Sequence, residues 1–381
     1  MTKGERKGLR TWIEIDRKAI RNNFDVFRSL ISKKTKLMAV VKSNAYGHDL
    51  IQFSKEMEKR GADFLGVDSM TEARALRREG IALPILVLGY TMPELLAEAA
   101  QDDVSIAVST LETLEAISKA KLSKPLKIHI KVDTGMHRQG FLISDMPKVL
   151  SRLTVNRFTL NASVEGLFTH FASAKNPSFP KDTQSQIDEF KKWVMAFTEC
   201  GITPIVHAAA SAGTLLFPES HFDMVRIGIG LYGQWPEKAV RSFLQSRMTL
   251  KPALVWKSLI AETKKLPKGS KIGYDLTETL SKDSTIAVVP IGYWHGYPRA
   301  LSSVGHVVVK GNEVRVLGRV SMDMLTIDIT GIPSVSVGDE VTILDNDDAS
   351  LVSAEGISGL IDASWYELLT RLNPLIKRIY K

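Results

Sequence analysis

Eight short apolar runs, each followed by a longer amphipathic segment, constrain the fold of this chain more than any other feature. They occupy residues 37–41, 64–67, 85–88, 104–108, 126–132, 164–168, 205–206 and 224–227. Strand-length apolar runs alternating with helical patterns predict βα units on a parallel sheet. Eight of them over about 200 residues match the repeat number and size of a (β/α)8 TIM-type barrel, whose active sites lie at the C-terminal ends of the strands. Polar residues cluster just after these runs: Lys42, Asp68, Tyr90, Asp133, His170, His207 and Arg226.

The texture changes near residue 245. The segments LVWKSLIAETKKL, STIAVVPIGYW, HVVVKGNEVRVLG, MLTIDIT and DEVTILD are short, β-branched and separated by Gly, Asn or Asp turns, which predicts a mostly antiparallel β domain. A length of 381 residues exceeds what one core usually spans, so two domains are expected. They are a barrel over 1–245 and a C-terminal β domain over 246–381, with the first strand, about 11–16, able to pack with the β domain.

The formal net charge of +8 is scattered along the chain instead of gathered in a tail, so nucleic acid is not an expected partner. One cysteine, Cys200, excludes an internal disulfide and leaves too little thiolate for a zinc or iron–sulfur site; no metal is expected, and a reducing cytoplasm is. The charged start, MTKGERKGLRTWIEID, lacks the apolar stretch of a secretion signal, so no export is expected. No window approaches eighteen uninterrupted apolar residues, which argues against a membrane span.

Lys42 ends a buried apolar run and is followed by a polar turn containing Gly47. Unpaired charge is costly to bury, whereas a lysine amine joined as an imine to an aldehyde cofactor escapes that cost and becomes the cofactor's anchor. A strand-end lysine snorkelling to water explains the position equally well on its own. Arg226-Ile-Gly-Ile-Gly230 offers backbone N–H groups beside residues with little side chain, in the place after the eighth strand where barrels commonly hold phosphate, and Ser211 could add a hydroxyl.

The motifs VVKSNAYGH, TWIEIDRKAIRNN, KVDTGMHRQGF, VEGLFTHFASA, HAAASAGTL, MVRIGIGLYG, KIGYD, VVPIGYWHGYPR and VLGRVSMDM cover nearly the whole chain in order. In them the sequence resembles the alanine racemases, which depend on pyridoxal 5'-phosphate. The resemblance implies that Lys42 carries the cofactor and then serves as one acid/base, and that Tyr46, Ser211, Gly228 and Ile229 meet its phosphate. It places Arg226 against the ring nitrogen, where a guanidinium leaves the ring neutral and the carbanion less delocalised than a carboxylate would. Arg138 would contact the phenolic oxygen and the substrate carboxylate, with Lys131, carbamylated in some members, bracing it. His170 would stack on or brace the ring, with His207 nearby. Racemisation needs acid/base groups on opposite faces of a planar intermediate. Tyr274 matches the second base, Tyr293 the entryway tyrosine, and the backbone of Met322 a substrate-carboxylate contact. The same resemblance implies a homodimer whose β domain completes the neighbour's site, and D-alanine supplied for peptidoglycan.

Two departures bear on specificity. The family usually reads His-x-Ala-Asn-Ser where this chain has His207-Ala-Ala-Ala-Ser211, so Ala210 lacks an amide. The ending TRLNPLIKR replaces the commoner one with Arg-Val-Pro, and Pro374 or its neighbours stand where some members carry a phosphate-contacting tyrosine. A racemase for serine or a broader set of amino acids is the alternative these departures favour. A barrel-type decarboxylase would need a cysteine in the C-terminal domain and a glycine triplet, and neither is present. A non-enzymatic cofactor carrier would lack the C-terminal domain.

Overall fold

The structure, a computed structural model, describes residues 7–154 and 161–381; the charged start read as lacking a secretion signal lies, through residue 6, outside the described residues. Strand β1 (Thr11–Ile15) precedes a closed parallel barrel of β2 (Lys36–Val40), β3 (Phe64–Val67), β4 (Ile85–Val87), β5 (Val104–Val108), β6 (Leu126–Lys131), β7 (Ala162–Phe168), β8 (Ile205–Ala210) and β9 (Met224–Ile227). Closure comes from β2 lying parallel to β9, with Met38 beside Arg226. These strands read as continuous apolar runs because helices cover their outer faces while side chains fill the inside. One inner layer is Met38, Phe64, Leu86 and Met224, packed against Leu88 and Ile205. Truncating a ring in such a layer, as in Phe64→Ala, costs about 3–5 kcal/mol.

Two expectations about the barrel are corrected. The run at 205–206 is the start of a strand that continues to Ala210, so His207 lies within β8 and Arg226 within β9 instead of beyond the strands. The extension was hidden because His207-Ala-Ala-Ala210 contains no β-branched residue, although the barrel encloses most of it. The helices between strands begin on ordinary signals. Thr110 Oγ1 accepts from the Thr113 N–H at the start of Leu111–Lys119, and Pro180 opens Pro180–Glu199.

The second body is a nine-stranded sheet with a separate two-stranded ribbon. Its strands are β10 (Leu254–Leu259), β11 (Glu262–Leu266), β12 (Lys271–Ile272), β13 (Glu278–Thr279), β14 (Ser284–Val289), β15 (His306–Val309), β16 (Asn312–Leu317), β17 (Leu325–Asp328), β18 (Glu340–Leu344) and β19 (Lys377–Tyr380). The sheet order is β11-β14-β17-β16-β15-β18-β10-β1-β19, while β12 and β13 form the ribbon. All its pairings are antiparallel except β1 with β19. The first strand therefore belongs to this sheet, where Trp12, Ile13 and Ile15 are fully buried. By packing, the described residues divide into one compact unit of residues 7–19, Tyr46–Asp49 and Lys251–Lys381, and another drawn from Ile20–Ala45 and Leu50–Leu250. No helix among the described residues is long and apolar enough to cross a membrane.

Candidate active site

Directly after β2 the backbone does something L-residues avoid. Ser43, Asn44, Ala45 and Tyr46 take φ values of 56°, 55°, 51° and 50°, one left-handed turn without a glycine. Each such residue costs roughly 1–2 kcal/mol, so something must hold the turn. The Glu72 carboxylate does: Oε1 accepts from the Ser43 and Asn44 N–H groups at 2.7 and 3.4 Å, and Oε2 from the Asp68 N–H at 2.8 Å. Asn44 Oδ1 accepts from the Leu50 N–H at 2.9 Å. Lys42 opens this turn, its Nζ 3.4 Å from Asp68 Oδ1. Both side chains are well exposed, so that pairing is weak and the amine is free to exchange it.

After β6 a second turn is built on Asp133, whose Oδ1 accepts from the Gly135, Met136 and His137 N–H groups at 2.9–3.0 Å. Gly140 lets the returning chain lie against the Val132 backbone, where a Cβ would sit 2.6 Å away. The turn leaves Arg138 exposed and Lys131 buried. Burial pushes the Lys131 amine down to about 8, helped by the positive charges of Arg138, Arg226 and Lys42. Its Nζ donates to Gln139 Oε1 at 2.8 Å and stands 5.7 Å from the centre of the Phe168 ring.

Arg226 is buried on β9 and, among the described residues, has no carboxylate against it. Nη2 donates to the Thr169 and Ala208 carbonyls at 2.8 and 2.9 Å and to His170 Nδ1 at 3.1 Å, and Nη1 to His207 Nδ1 at 2.9 Å. Burial lowers its pKa to about 9, which still leaves a cation at neutral pH. The imidazoles around it are neutral: burial, then the charge of Arg226, holds His170 down at about 3 and His207 well below the usual histidine range. The Phe168 ring lies under both groups, stacked on His207 with centroids 4.8 Å apart and 5.3 Å from the guanidinium.

Beyond β9, Ser211 Oγ accepts from the Gly228 and Gly230 N–H groups at 3.1 and 3.3 Å. A Cβ on Gly230 would meet the Phe27 ring at 2.3 Å and Ser211 Oγ at 3.4 Å, so only glycine keeps this cradle open. Ile229, between the two glycines, is buried. A buried hydroxyl whose oxygen takes two amide N–H groups and so keeps its own proton to donate, an amine, and a guanidinium bracketed by neutral imidazoles suit one anionic group and one polar aromatic ring. Pyridoxal phosphate fits that donor set.

The β unit carries the remaining residues. Tyr46 is half-buried there, and burial raises its phenol to about 12, keeping it a neutral donor. Gly47, His48 and the end of the chain are tied together by Arg378 Nε to the Gly47 carbonyl at 3.0 Å and Tyr380 OH to the His48 carbonyl at 2.6 Å. Tyr274 is 70% exposed on a left-handed bend between Gly273 and Asp275. Tyr293 and Met322 are neighbours through backbone pairing: the Tyr293 N–H donates to the Ser321 carbonyl at 3.1 Å and the Trp294 N–H to the Met322 carbonyl at 3.0 Å. A Cβ on Gly292 would lie 2.1 Å from the Ser321 oxygen, which explains the glycine before Tyr293.

Lys131, His170, His207 and Arg226 are thus brought together inside the barrel unit, and Tyr293 with Met322 in the β unit. Sequence reasoning missed Glu72, Gln139, Ser105, His129 and Glu165. The last two lie in β6 and β7 among other polar residues, Lys127, Lys131 and Ser163, so no local signal sets them apart.

Comparison with known proteins agrees with the geometry. The family model for the alanine racemase N-terminal domain matches residues 15–236, and that for the C-terminal domain residues 253–380. An alanine racemase of Methanococcus maripaludis is 41% identical over 374 residues, 97% of this chain and 98% of that protein. The alanine racemase of Clostridium difficile 630 superposes with a TM-score of 0.91 at 33% identity, covering 98% of this chain and 96% of that one. A Bacillus anthracis alanine racemase with bound L-Ala-P gives a TM-score of 0.91 at 35% identity, covering 98% and 95%.

Proposed function

The chain belongs to the alanine racemase family of isomerases, and from that premise we propose that it interconverts L- and D-alanine by a two-base mechanism using pyridoxal phosphate, with Lys42 and Tyr274 as the bases. The observation that carries the reading is Arg226, a buried guanidinium that among the described residues meets only neutral acceptors, all through Nη1 and Nη2, and so has its Nε–H to offer a ring nitrogen. When bound, the cofactor supplies an electron sink that lets the α-proton leave. Lys42 would hold it covalently. Ser211 with the amides of Gly228 and Ile229, and Tyr46, would hold its phosphate. Arg226, donating but unable to release its proton readily, would keep the ring nitrogen unprotonated and so limit side reactions. Neutral His170 would brace the ring without adding charge. Arg138, which Lys131 would hold in place once carbamylated, would take the substrate carboxylate, matching the preference of guanidinium for oxyanions.

Removing the proton on one face and returning it on the other requires two groups. Lys42 would serve one face. The exposure of Tyr274, Tyr293 and Met322, at 70%, 42% and 55%, supports a homodimer in which the β unit of one copy completes the site of the other. The lone exposed cysteine and the absence of an apolar membrane-length helix among the described residues are consistent with a cytoplasmic enzyme; the supply of D-alanine for peptidoglycan rests on the family resemblance alone.

Ala210 supports a second reading, a racemase for serine or several amino acids, because a methyl at the end of β8 stands where the family usually places an amide. Incubating the protein with each L-amino acid in deuterium oxide separates the two. Deuterium and inversion at the α-carbon are expected for alanine first; faster exchange with serine would favour the second reading, and no exchange with any amino acid would overturn both.

A further inference from the structure

Arg226 is the first link of a hydrogen-bonded chain through the barrel interior. Its Nη1 donates to His207 Nδ1 at 2.9 Å, His207 Nε2 lies 2.9 Å from His129 Nδ1, and His129 Nε2 lies 3.0 Å from Glu165 Oε2. Ser105 Oγ donates to the same Glu165 oxygen at 2.5 Å. Each link dictates the next. A guanidinium can only donate, so His207 Nδ1 must accept and its proton sits on Nε2. That N–H needs His129 Nδ1 as acceptor, which puts the His129 proton on Nε2, facing Glu165. An ionised carboxylate only accepts, so the chain ends there.

We propose that Glu165 is a positioning residue for Arg226: its carboxylate fixes the tautomers of His129 and His207, so that His207 always turns a lone pair toward the guanidinium. The proposal rests on the racemase reading for what Arg226 does, but the tautomers themselves do not. Without the carboxylate, either imidazole could move its proton to Nδ1. His207 would then aim an N–H at a buried cation and push the guanidinium out of line. Packing supports a built device. His129 is fully buried, and a Cβ on Gly166, the residue after Glu165, would stand 2.0 Å from His129 Nδ1, so the ring lies on bare backbone that pins its orientation. His207 is held by its stacking on Phe168. A partly buried carboxylate inside an apolar barrel is costly unless hydrogen-bonded. Hydrogen bonds from His129 and Ser105 outweigh the upward push of burial and keep Glu165 below the usual carboxylate range.

The test uses the full-length protein labelled with 15N-histidine. Side-chain tautomers are read by NMR and assigned through His129→Asn and His207→Asn variants. The absorbance of bound cofactor and kcat and KM for alanine are read on the same preparations. In the wild type both rings should be neutral with the proton on Nε2. Glu165→Leu should let Nδ1-protonated forms appear in both rings, move the cofactor absorbance, and lower kcat about tenfold or more with KM within roughly twofold. Glu165→Gln, whose amide oxygen still accepts, should keep both tautomers and kcat within about threefold. A wild-type His207 protonated on Nδ1, or unchanged tautomers in folded Glu165→Leu, overturns the proposal. Should Glu165→Leu not fold, the wild-type tautomers and the Glu165→Gln variant decide, and loss of the tautomers in the latter overturns it. Tautomers that behave as stated in a protein binding no cofactor would uphold the chain and sink the racemase reading instead.

Discussion

Lys131 Nζ donates to the amide oxygen of Gln139 at 2.8 Å, so a buried cation is met by a neutral acceptor. Burial and the charges of Arg138, Arg226 and Lys42 bring its pKa from 10.5 to about 8. In the folded protein the amine deprotonates near pH 8, in the unfolded chain near 10.5. Between those values the unfolded chain binds more protons, so stability rises with pH across the window, while below pH 8 the full penalty of the buried charge is present. Lys131→Met should remove that rise. Urea unfolding from pH 7.5 to 10.5 should show the wild type gaining on the order of 2 kcal/mol relative to the variant. Parallel curves would mean that the amine keeps its charge throughout.

The cofactor should be attached at Lys42. Borohydride treatment of the yellow protein, followed by peptide mapping, is expected to find the label on that residue alone. Label on another lysine, or none, defeats the assignment.

Glu72 holds two backbone amides of the left-handed turn, those of Ser43 and Asn44, and the amide of Asp68. Glu72→Ala should lower stability by about 1–3 kcal/mol, since it leaves those donors without their carboxylate and the turn without its clamp. Cofactor retention on dialysis should fall with it, because Lys42 begins the turn. Glu72→Gln, which keeps an acceptor oxygen, should fall between the two. Unchanged unfolding and retention in Glu72→Ala would show that the turn holds itself.

Replacing Arg226 tests the ring-nitrogen assignment. Arg226→Glu would place a carboxylate that keeps the nitrogen protonated, and racemisation should slow by about a hundredfold or more while cofactor still binds. An unchanged rate would remove Arg226 from the nitrogen.

Lys42→Ala and Tyr274→Phe should each be nearly inactive, a positioned acid/base being worth about 10² to 10⁴ in rate. Co-expressing the two variants gives mixed dimers with one site carrying both defects and one carrying none. With random pairing about half the dimers are mixed, so roughly a quarter of wild-type activity should return. If both bases came from one chain, mixing would restore nothing.

The barrel was legible because parallel strands buried on both faces leave continuous apolar runs, as at Phe64–Val67 and Ile85–Val87. The nine-stranded order was not: β1 beside β10 and β19 depends on partners more than 200 residues apart, which no local pattern records. In the barrel, Lys131, His170, His207 and Arg226 could be named from motifs, and the structure does place them together. Glu72 and Glu165 could not. A glutamate on a helix reads as a solvated face, and one in a strand as an irregularity, until closure of the barrel shows which donors it meets. The left-handed turn was equally hidden, since Ser43, Asn44 and Ala45 carry no glycine to announce positive φ.

The position of β1 also has a consequence for how the protein is made. Its Trp12, Ile13 and Ile15 are fully buried between β10 and β19, yet they leave the ribosome long before either partner exists. At 5–20 residues per second, roughly 10–50 seconds of synthesis separate β1 from β10, and more from β19. Throughout that interval an apolar strand with both edges unpaired is available to chaperones and to other nascent chains. Cells making this protein should therefore lose it to aggregation at the amino-terminal strand first, and slowing translation, which lengthens the interval before β10 and β19 arrive, should recover less of it.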